Sequence, residues 1–205
     1  MHKLDWQLYL LPFEQAVEEI KVKIKNIRNE LRKRMEYSPI EFALGRVKSI
    51  PSIYNKAKRL QFPIDENICW EIRDIAGVRI ICQFIEDIPA VVEMIRKRGD
   101  MRLYLEKDYV STPKESGYRG YHLAVEYPIM MANGQVTIPV EIQIRTLDSE
   151  MNNIREEIKE AQAEFMKKEV PIDSLLSLVE LDLDVDAGME NTSASKGEEG
   201  NHDNH

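Results

Sequence analysis

Val140-Glu141-Ile142-Gln143-Ile144-Arg145-Thr146 alternates strictly between apolar and polar residues, the period of a β-strand. Val140, Ile142 and Ile144 fall on one face, which reads as core. Glu141, Gln143 and Arg145 fall on the other, setting a carboxylate, an amide and a guanidinium in a row about 6.5–7 Å apart. On these seven residues alone, an edge strand with a solvated polar face is the simpler reading. A functional reading gains weight because several other segments carry groups suited to phosphates and bases.

Working backwards, Asn133-Gly134 is a hairpin signal, joining the 138–146 strand to one over residues 121–127. Before that lies Pro113-Lys114-Glu115-Ser116-Gly117-Tyr118-Arg119-Gly120-Tyr121-His122. Its glycines allow close backbone approach, and Tyr118 offers a π-face to a base or packs as a loop aromatic. His122 is the one histidine outside the two ends of the chain; a satisfied, half-buried histidine is its default reading. Residues 104–110 form a further strand carrying Lys107. The apolar run 76–84 reads as a central strand with Asp74 at its entrance. Between these two strands, Asp87-Ile88-Pro89 opens a helix that ends at Gly99.

Nearer the N-terminus, Asp65 caps a short helix through Ile72. Phe13, Val17, Ile20, Ile24, Ile27 and Leu31 make a heptad-like stripe on a helix over 13–35. Its other faces are basic, which suits a solvated surface, a subunit contact or an anion site. Ser38-Pro39 breaks this helix. A second helix runs to about Leu60, with Pro51 in its first turn and Ser49 or Ser52 as cap. Arg46 and Lys48 precede it, and Lys56 and Arg59 share one of its faces, so it is either a polyphosphate cradle or solvated charge. Beyond Leu147, Met151, Ile154, Ile158, Ala161 and Phe165 define another heptad-like helix. Residues 175–186 alternate weakly, as a strand or short helix, and from about Ala187 the composition is that of a disordered tail.

The net charge of -8 argues against a broadly basic nucleic-acid binder. It is uneven: residues 166–205 hold 3 Lys/Arg and 10 Asp/Glu, while residues 1–165 hold 25 and 26. That near-neutral body keeps local basic clusters, and a small anionic ligand needs only a cluster. No apolar run approaches the roughly 20 residues of a membrane span, and no secretory signal is evident. A cytoplasmic protein without a membrane partner is expected. Cys69 and Cys82 lack metal-ligand spacing and read as reduced core residues.

The polar groups of this α/β order suit one chemistry. Two carboxylates on different strands, Asp74 and Glu141, can share one Mg²⁺ with phosphate oxygens and water. Cations would offset charge on a transferring phosphoryl group, an aromatic would hold a base, and a carboxylate would act as general base. Transfer of a phosphoryl-type group between two nucleotides fits.

Gly45-Arg46-Val47-Lys48, Asp74-Ile75-Ala76-Gly77-Val78-Arg79-Ile80, Glu115 through His122, and Val140 through Thr146 together resemble the RelA/SpoT-type synthetase domain. The chain is most similar to the small alarmone synthetases of the RelQ type, over about residues 5–147 and again over 149–166. The resemblance implies a nucleotidyltransferase-like mixed β-sheet of about five strands, flanked by helices, with long N- and C-terminal helices, in a domain over 1–170. An acidic tail over 171–205 would follow. It implies a GTP pyrophosphokinase, moving pyrophosphate from Mg·ATP to the 3′-hydroxyl of GDP or GTP to give ppGpp or pppGpp and AMP, in a homotetramer. Carried over, Arg46, Lys48, Lys56 and Arg59 hold the ATP phosphates, and Arg79 stacks on adenine. Asp74 and Glu141 bind Mg²⁺, with Glu141 also activating the 3′-hydroxyl. Tyr118 stacks on guanine, while Lys114, His122 and Gln143 place the acceptor. Lys25 and Phe42 border a cleft between subunits where an alarmone binds, and single-stranded RNA is associated with the group.

Two departures stand out. Lys107 replaces an arginine that completes the adenine sandwich, which keeps the charge but loses planar stacking. After Leu147, roughly thirty to forty residues of the usual family chain are missing, judged against ordinary domain lengths. Their loss is expected to uncover apolar sheet surface, lower activity or alter assembly, the last two leaving a catalytically impaired nucleotide- or RNA-binding oligomer as the alternative. A histidine-rich metal hydrolase is disfavoured, since only His122 lies inside the folded body.

Overall fold

Five strands form one mixed sheet in the order β1-β2-β5-β4-β3. They are β1 Phe42–Val47, β2 Ala76–Cys82, β3 Arg102–Asp108, β4 Tyr121–Met131 and β5 Gly134–Thr146. β2 and β5 are parallel and the other pairs antiparallel. The structure is a computed structural model that describes residues 4–167 except 35 and 116, and excepting the side chains of 164–167.

β5 is the middle strand, so the edge-strand reading of 140–146 does not hold. Its apolar face, with Val140, Ile142 and Ile144, joins Val78, Ile80, Leu123 and Val125 in the buried core. Phe13, Ile20 and Ile24 of helix α1 (Trp6–Lys33) and Val91 and Ile95 of α4 (Ile88–Arg96) complete it. The register then fixes the polar face. Leu44, Arg79, Gln143, His122 and Lys107 lie in one row across all five strands. Arg46, Gly77, Glu141, Ala124 and Leu105 form the next row on the same side, two residues away along each strand.

Several boundaries differ from the periodicity. α1 starts at Trp6, capped by the Asp5 carboxylate, which accepts from the Gln7 and Leu8 amides. Trp6 and Tyr9 hold this early turn against Tyr54 and Phe13, and Pro12 sits inside the helix. Residues 42–47 are an edge strand that alternation did not reveal. Gly45 is needed there because a Cβ would collide with Val17 Cγ1 and meet Lys21 Cδ at 2.7 Å, so α1 crosses β1 at close range.

Asp65 caps a turn rather than a helix, accepting from the Asn67 amide at 2.8 Å; only Ile68–Glu71 (α3) is helical. α4 stops at Arg96 instead of Gly99. β4 runs on through Pro128, which is tolerated because β3 pairs only as far as Glu126 and leaves an open edge beyond it.

The chain divides into units Met1–Glu156 and Glu157–His205. Of the second, residues 157–167 are described, as helix belonging to α5 (Leu147–Lys167). The boundary expected at 170, the alternation at 175–186 and the acidic tail lie outside the described residues. Among the described residues no helix is long and apolar enough to cross a membrane.

Candidate active site

Helix α2 (Ile50–Leu60) begins at Ser49, whose side chain accepts from the Ser52 amide, with Pro51 in the first turn. Ile53 and Ala57 are its buried face, which turns Lys56 towards the entrance of β2. There Lys56 Nζ lies 2.7 Å from Asp74 Oδ1, and Lys48 Nζ lies 3.0 Å from Asp74 Oδ2. Burial pushes the Asp74 carboxyl up, yet the hydrogen bonds and charges of Lys56 and Lys48 outweigh it and hold the group below its usual range. The cradle expected from four cations is thus built around a carboxylate. Arg46 stands in the row of Glu141, and Arg59 is exposed further along α2.

Glu141 is the centre of a second cluster. Its Oε1 lies 3.1 Å from His122 Nδ1, and its Oε2 accepts from Gln143 Nε2 at 2.6 Å. Burial again raises this carboxyl, but the hydrogen bond and charge of the His122 ring and the Gln143 amide bring it below the ordinary value, against an upward push from Asp74. Both carboxylates are therefore ionised at neutral pH. His122 Nε2 lies 2.9 Å from the Tyr118 hydroxyl, so this histidine is satisfied on both nitrogens and links the two residues.

The loop before β4 brings Tyr118 back onto that histidine. Gly117 has φ +79°, a left-handed conformation suited to glycine, and a turn closes from the Gly117 amide to Lys114 O at 2.8 Å. A Cβ on Gly120 would meet the Tyr118 hydroxyl at 2.6 Å. Lys114 Nζ lies 4.9 Å from the Tyr118 ring centroid and 4.5 Å from that of Tyr109. The Arg145 guanidinium lies 5.4 Å from the Tyr118 ring. Burial raises the Tyr118 hydroxyl above its ordinary value.

Two cavities of about 310 and 280 Å³ meet at Asp74 and Glu141. Lys56, Lys107 and His122 line the first; Arg46, Arg79 and Gln143 line the second. Lys107 and Arg79 are three strand spacings apart in their row, about 14 Å, and so border different cavities. Two ionised carboxylates over one cleft, with Asp74 raising the cost of ionising Glu141, are oxygen donors of the kind that suits Mg²⁺. Lys25 and Phe42 line a separate cavity of about 310 Å³ with Lys21 and Arg28.

The family described as "Region found in RelA / SpoT proteins" matches residues 45–169, which include every one of these groups except Lys21, Lys25, Arg28 and Phe42. The chain belongs to the RelA/SpoT family. It is 40% identical over 206 residues to the GTP pyrophosphokinase YjbM of Bacillus subtilis, covering 82% of this chain and 97% of that one. It is also similar to the crystal structure of the small alarmone synthetase 1 of Bacillus subtilis bound to its product pppGpp. That match has a TM-score of 0.70 and 43% identity, over 84% of this chain and 87% of that one. The same synthetase bound to AMPCPP matches with a TM-score of 0.66 and 40% identity, over 85% and 87%.

Within this RelA/SpoT site, the sequence left two members without roles. Arg145 is buried to 3% exposure, donating to Gln143 Oε1 and, at 2.8 Å, to Glu150 Oε2. Glu150, also 3% exposed, accepts from Arg79 Nη1 at 3.0 Å through its other oxygen. The usable signal was spacing: a carboxylate one helical turn past the end of a strand whose penultimate residue is arginine. Helical periodicity hid it, because Glu150 lies off the apolar stripe; Met151 and Ile154 of that stripe are exposed.

Proposed function

We propose that this protein is a GTP pyrophosphokinase, transferring the β,γ-pyrophosphoryl group of ATP to the ribose 3′-hydroxyl of GDP or GTP. The 3′-oxygen forms a bond to the β-phosphorus, and the bond from that phosphorus to the α,β-bridging oxygen breaks. AMP leaves, and the hydroxyl proton passes to the Glu141 carboxylate. The observation that carries this reading is the meeting of two ionised carboxylates, Asp74 and Glu141, between the Lys48–Lys56 pair and the His122–Tyr118 pair. Relatives named as GTP pyrophosphokinases, and a similar structure holding pppGpp, support it.

Asp74 and Glu141 would hold Mg²⁺, which when bound neutralises phosphate charge. Lys48, Lys56 and Arg46 would bind the ATP polyphosphate, with Arg59 at the outer edge and Arg79 beneath adenine; Lys107 would add charge. Tyr118 would stack on guanine, Lys114 would meet the acceptor's phosphates, and Gln143 and His122 would keep Glu141 aimed at the 3′-oxygen. Among the described residues, each Glu141 oxygen has one hydrogen-bond partner, which leaves lone pairs for the substrate proton.

We further read the protein as a cytoplasmic homotetramer in which the Lys25–Phe42 cavity, rich in cations, takes an alarmone. The gap after Leu147 belongs to the same reading: the alignment with YjbM spans 206 residues but uses only 82% of this 205-residue chain. Incubating the protein with ATP, GDP and Mg²⁺ and separating the nucleotides tests the activity. Equal amounts of AMP and ppGpp are expected; bound nucleotides with no AMP formed would refute it.

A further inference from the structure

One carboxylate on α5 joins the two halves of the site. β5 passes into α5 without a loop, Leu147 following Thr146 directly, and Thr146 Oγ1 accepts from the Ser149 amide at 3.3 Å. The first turn of the helix is tied down again where the Ser149 hydroxyl donates to Arg119 O at 3.2 Å. This places Glu150 between Arg79 of β2 and Arg145 of β5, with 3.0 and 2.8 Å bonds to the two guanidiniums. A charge buried this deeply is retained only with strong partners, and Glu150 has two.

We propose that Glu150 is a positioning residue for both nucleotide bases, setting the plane of Arg79 for the donor base and the plane of Arg145 behind Tyr118 for the acceptor base. The inference rests on the two-nucleotide reading of the site. A guanidinium donates in its own plane, so a carboxylate at its edge fixes its orientation without itself covering a stacking face. Arg79 lines the cavity that also holds Arg46, Asp74 and Glu141, where the donor lies in that reading.

Arg145 belongs to a closed ring of contacts. It donates to Gln143, Gln143 donates to Glu141, Glu141 contacts His122, His122 contacts the Tyr118 hydroxyl, and the Tyr118 ring faces Arg145. At Arg145, Glu150 anchors this ring from outside the sheet. Tilting Arg145 would move the support under Tyr118 and disturb the Gln143 contact to Glu141. Losing Glu150 therefore acts on both substrates through Arg79 and Arg145, without Glu150 itself touching either substrate.

The test is to measure the affinities of the wild type and Glu150→Gln for a non-hydrolysable ATP analogue and for GDP separately, by calorimetry, together with Tm, KM and kcat. The amide keeps the shape but cannot accept charge-assisted bonds from two guanidiniums. Affinity for each nucleotide is expected to fall about tenfold, with KM rising more than kcat falls. A lowered Tm with both affinities unchanged would show a merely structural ion pair and overturn the proposal, as would loss of affinity for one nucleotide alone. If Glu150→Gln does not fold, Glu150→Asp decides on the same two affinities: a loss for both supports positioning, and wild-type values overturn it. Because binding is read apart from turnover, a wild type that binds both nucleotides yet makes no AMP would refute the transfer reaction while leaving this inference to the affinities. A wild type that binds neither overturns both.

Discussion

His122 Nδ1 lies 3.1 Å from Glu141 Oε1, and through its other nitrogen the same ring reaches the Tyr118 hydroxyl at 2.9 Å. The proposed general base and the proposed guanine platform are thus coupled by one imidazole, held by neighbouring strands in register. The base of the acceptor and its reacting hydroxyl would be positioned by a single connected unit.

Glu141→Gln removes the proposed proton acceptor and one of the two carboxylates proposed to hold Mg²⁺, while preserving shape. Pyrophosphate transfer is expected to fall by at least 10²-fold, with affinity for an ATP analogue reduced far less. Steady-state rates beside calorimetric titration of the mutant check this.

Tyr118→Ala removes the aromatic face and should weaken GDP by about 1–3 kcal/mol, the usual worth of base stacking, with little effect on ATP. Equal losses for the two nucleotides would contradict the assignment.

Asp74 and Glu141 both have folded values below their ordinary ones, despite burial. A carboxylate of this kind stabilises the fold fully above its unfolded value, about 3.9 for Asp and 4.3 for Glu, and loses that contribution as pH falls through the folded value. Asp74→Asn leaves Lys48 and Lys56 facing each other without their anion. The Tm difference between wild type and Asp74→Asn is expected to be largest near neutral pH and to shrink below about pH 4. Thermal unfolding from pH 3 to 7 measures it.

Gly45→Ala tests the close crossing of α1 over β1. The new methyl would press on Val17 and Lys21, at a cost of about 1–3 kcal/mol for overpacking. Because Arg46 and Lys48 follow directly in the chain, KM for ATP should rise with the fall in Tm.

Much of this was legible because the two strongest signals, the alternation over 140–146 and the apolar run beginning at Ala76, belong to the parallel central pair, which has a further strand on each side. Of the motif residues, Asp74 and Glu141 line one cleft, and Glu141, His122 and Tyr118 follow one another in contact. β1 was hidden because an edge strand with a glycine in its middle needs neither full alternation nor high β-propensity; α1 supplies its packing. Glu150 was hidden for a different reason. Its importance comes from two arginines on separate strands, a relation that only the parallel pairing of β2 with β5 creates.

Label in the β-phosphate of ATP tests the central claim most directly, in a reaction with GDP and Mg²⁺. Transfer of an intact pyrophosphoryl group predicts that the label appears in ppGpp, with unlabelled AMP in equal amount. Label retained in ADP, the mark of γ-phosphoryl transfer or simple hydrolysis, would contradict it.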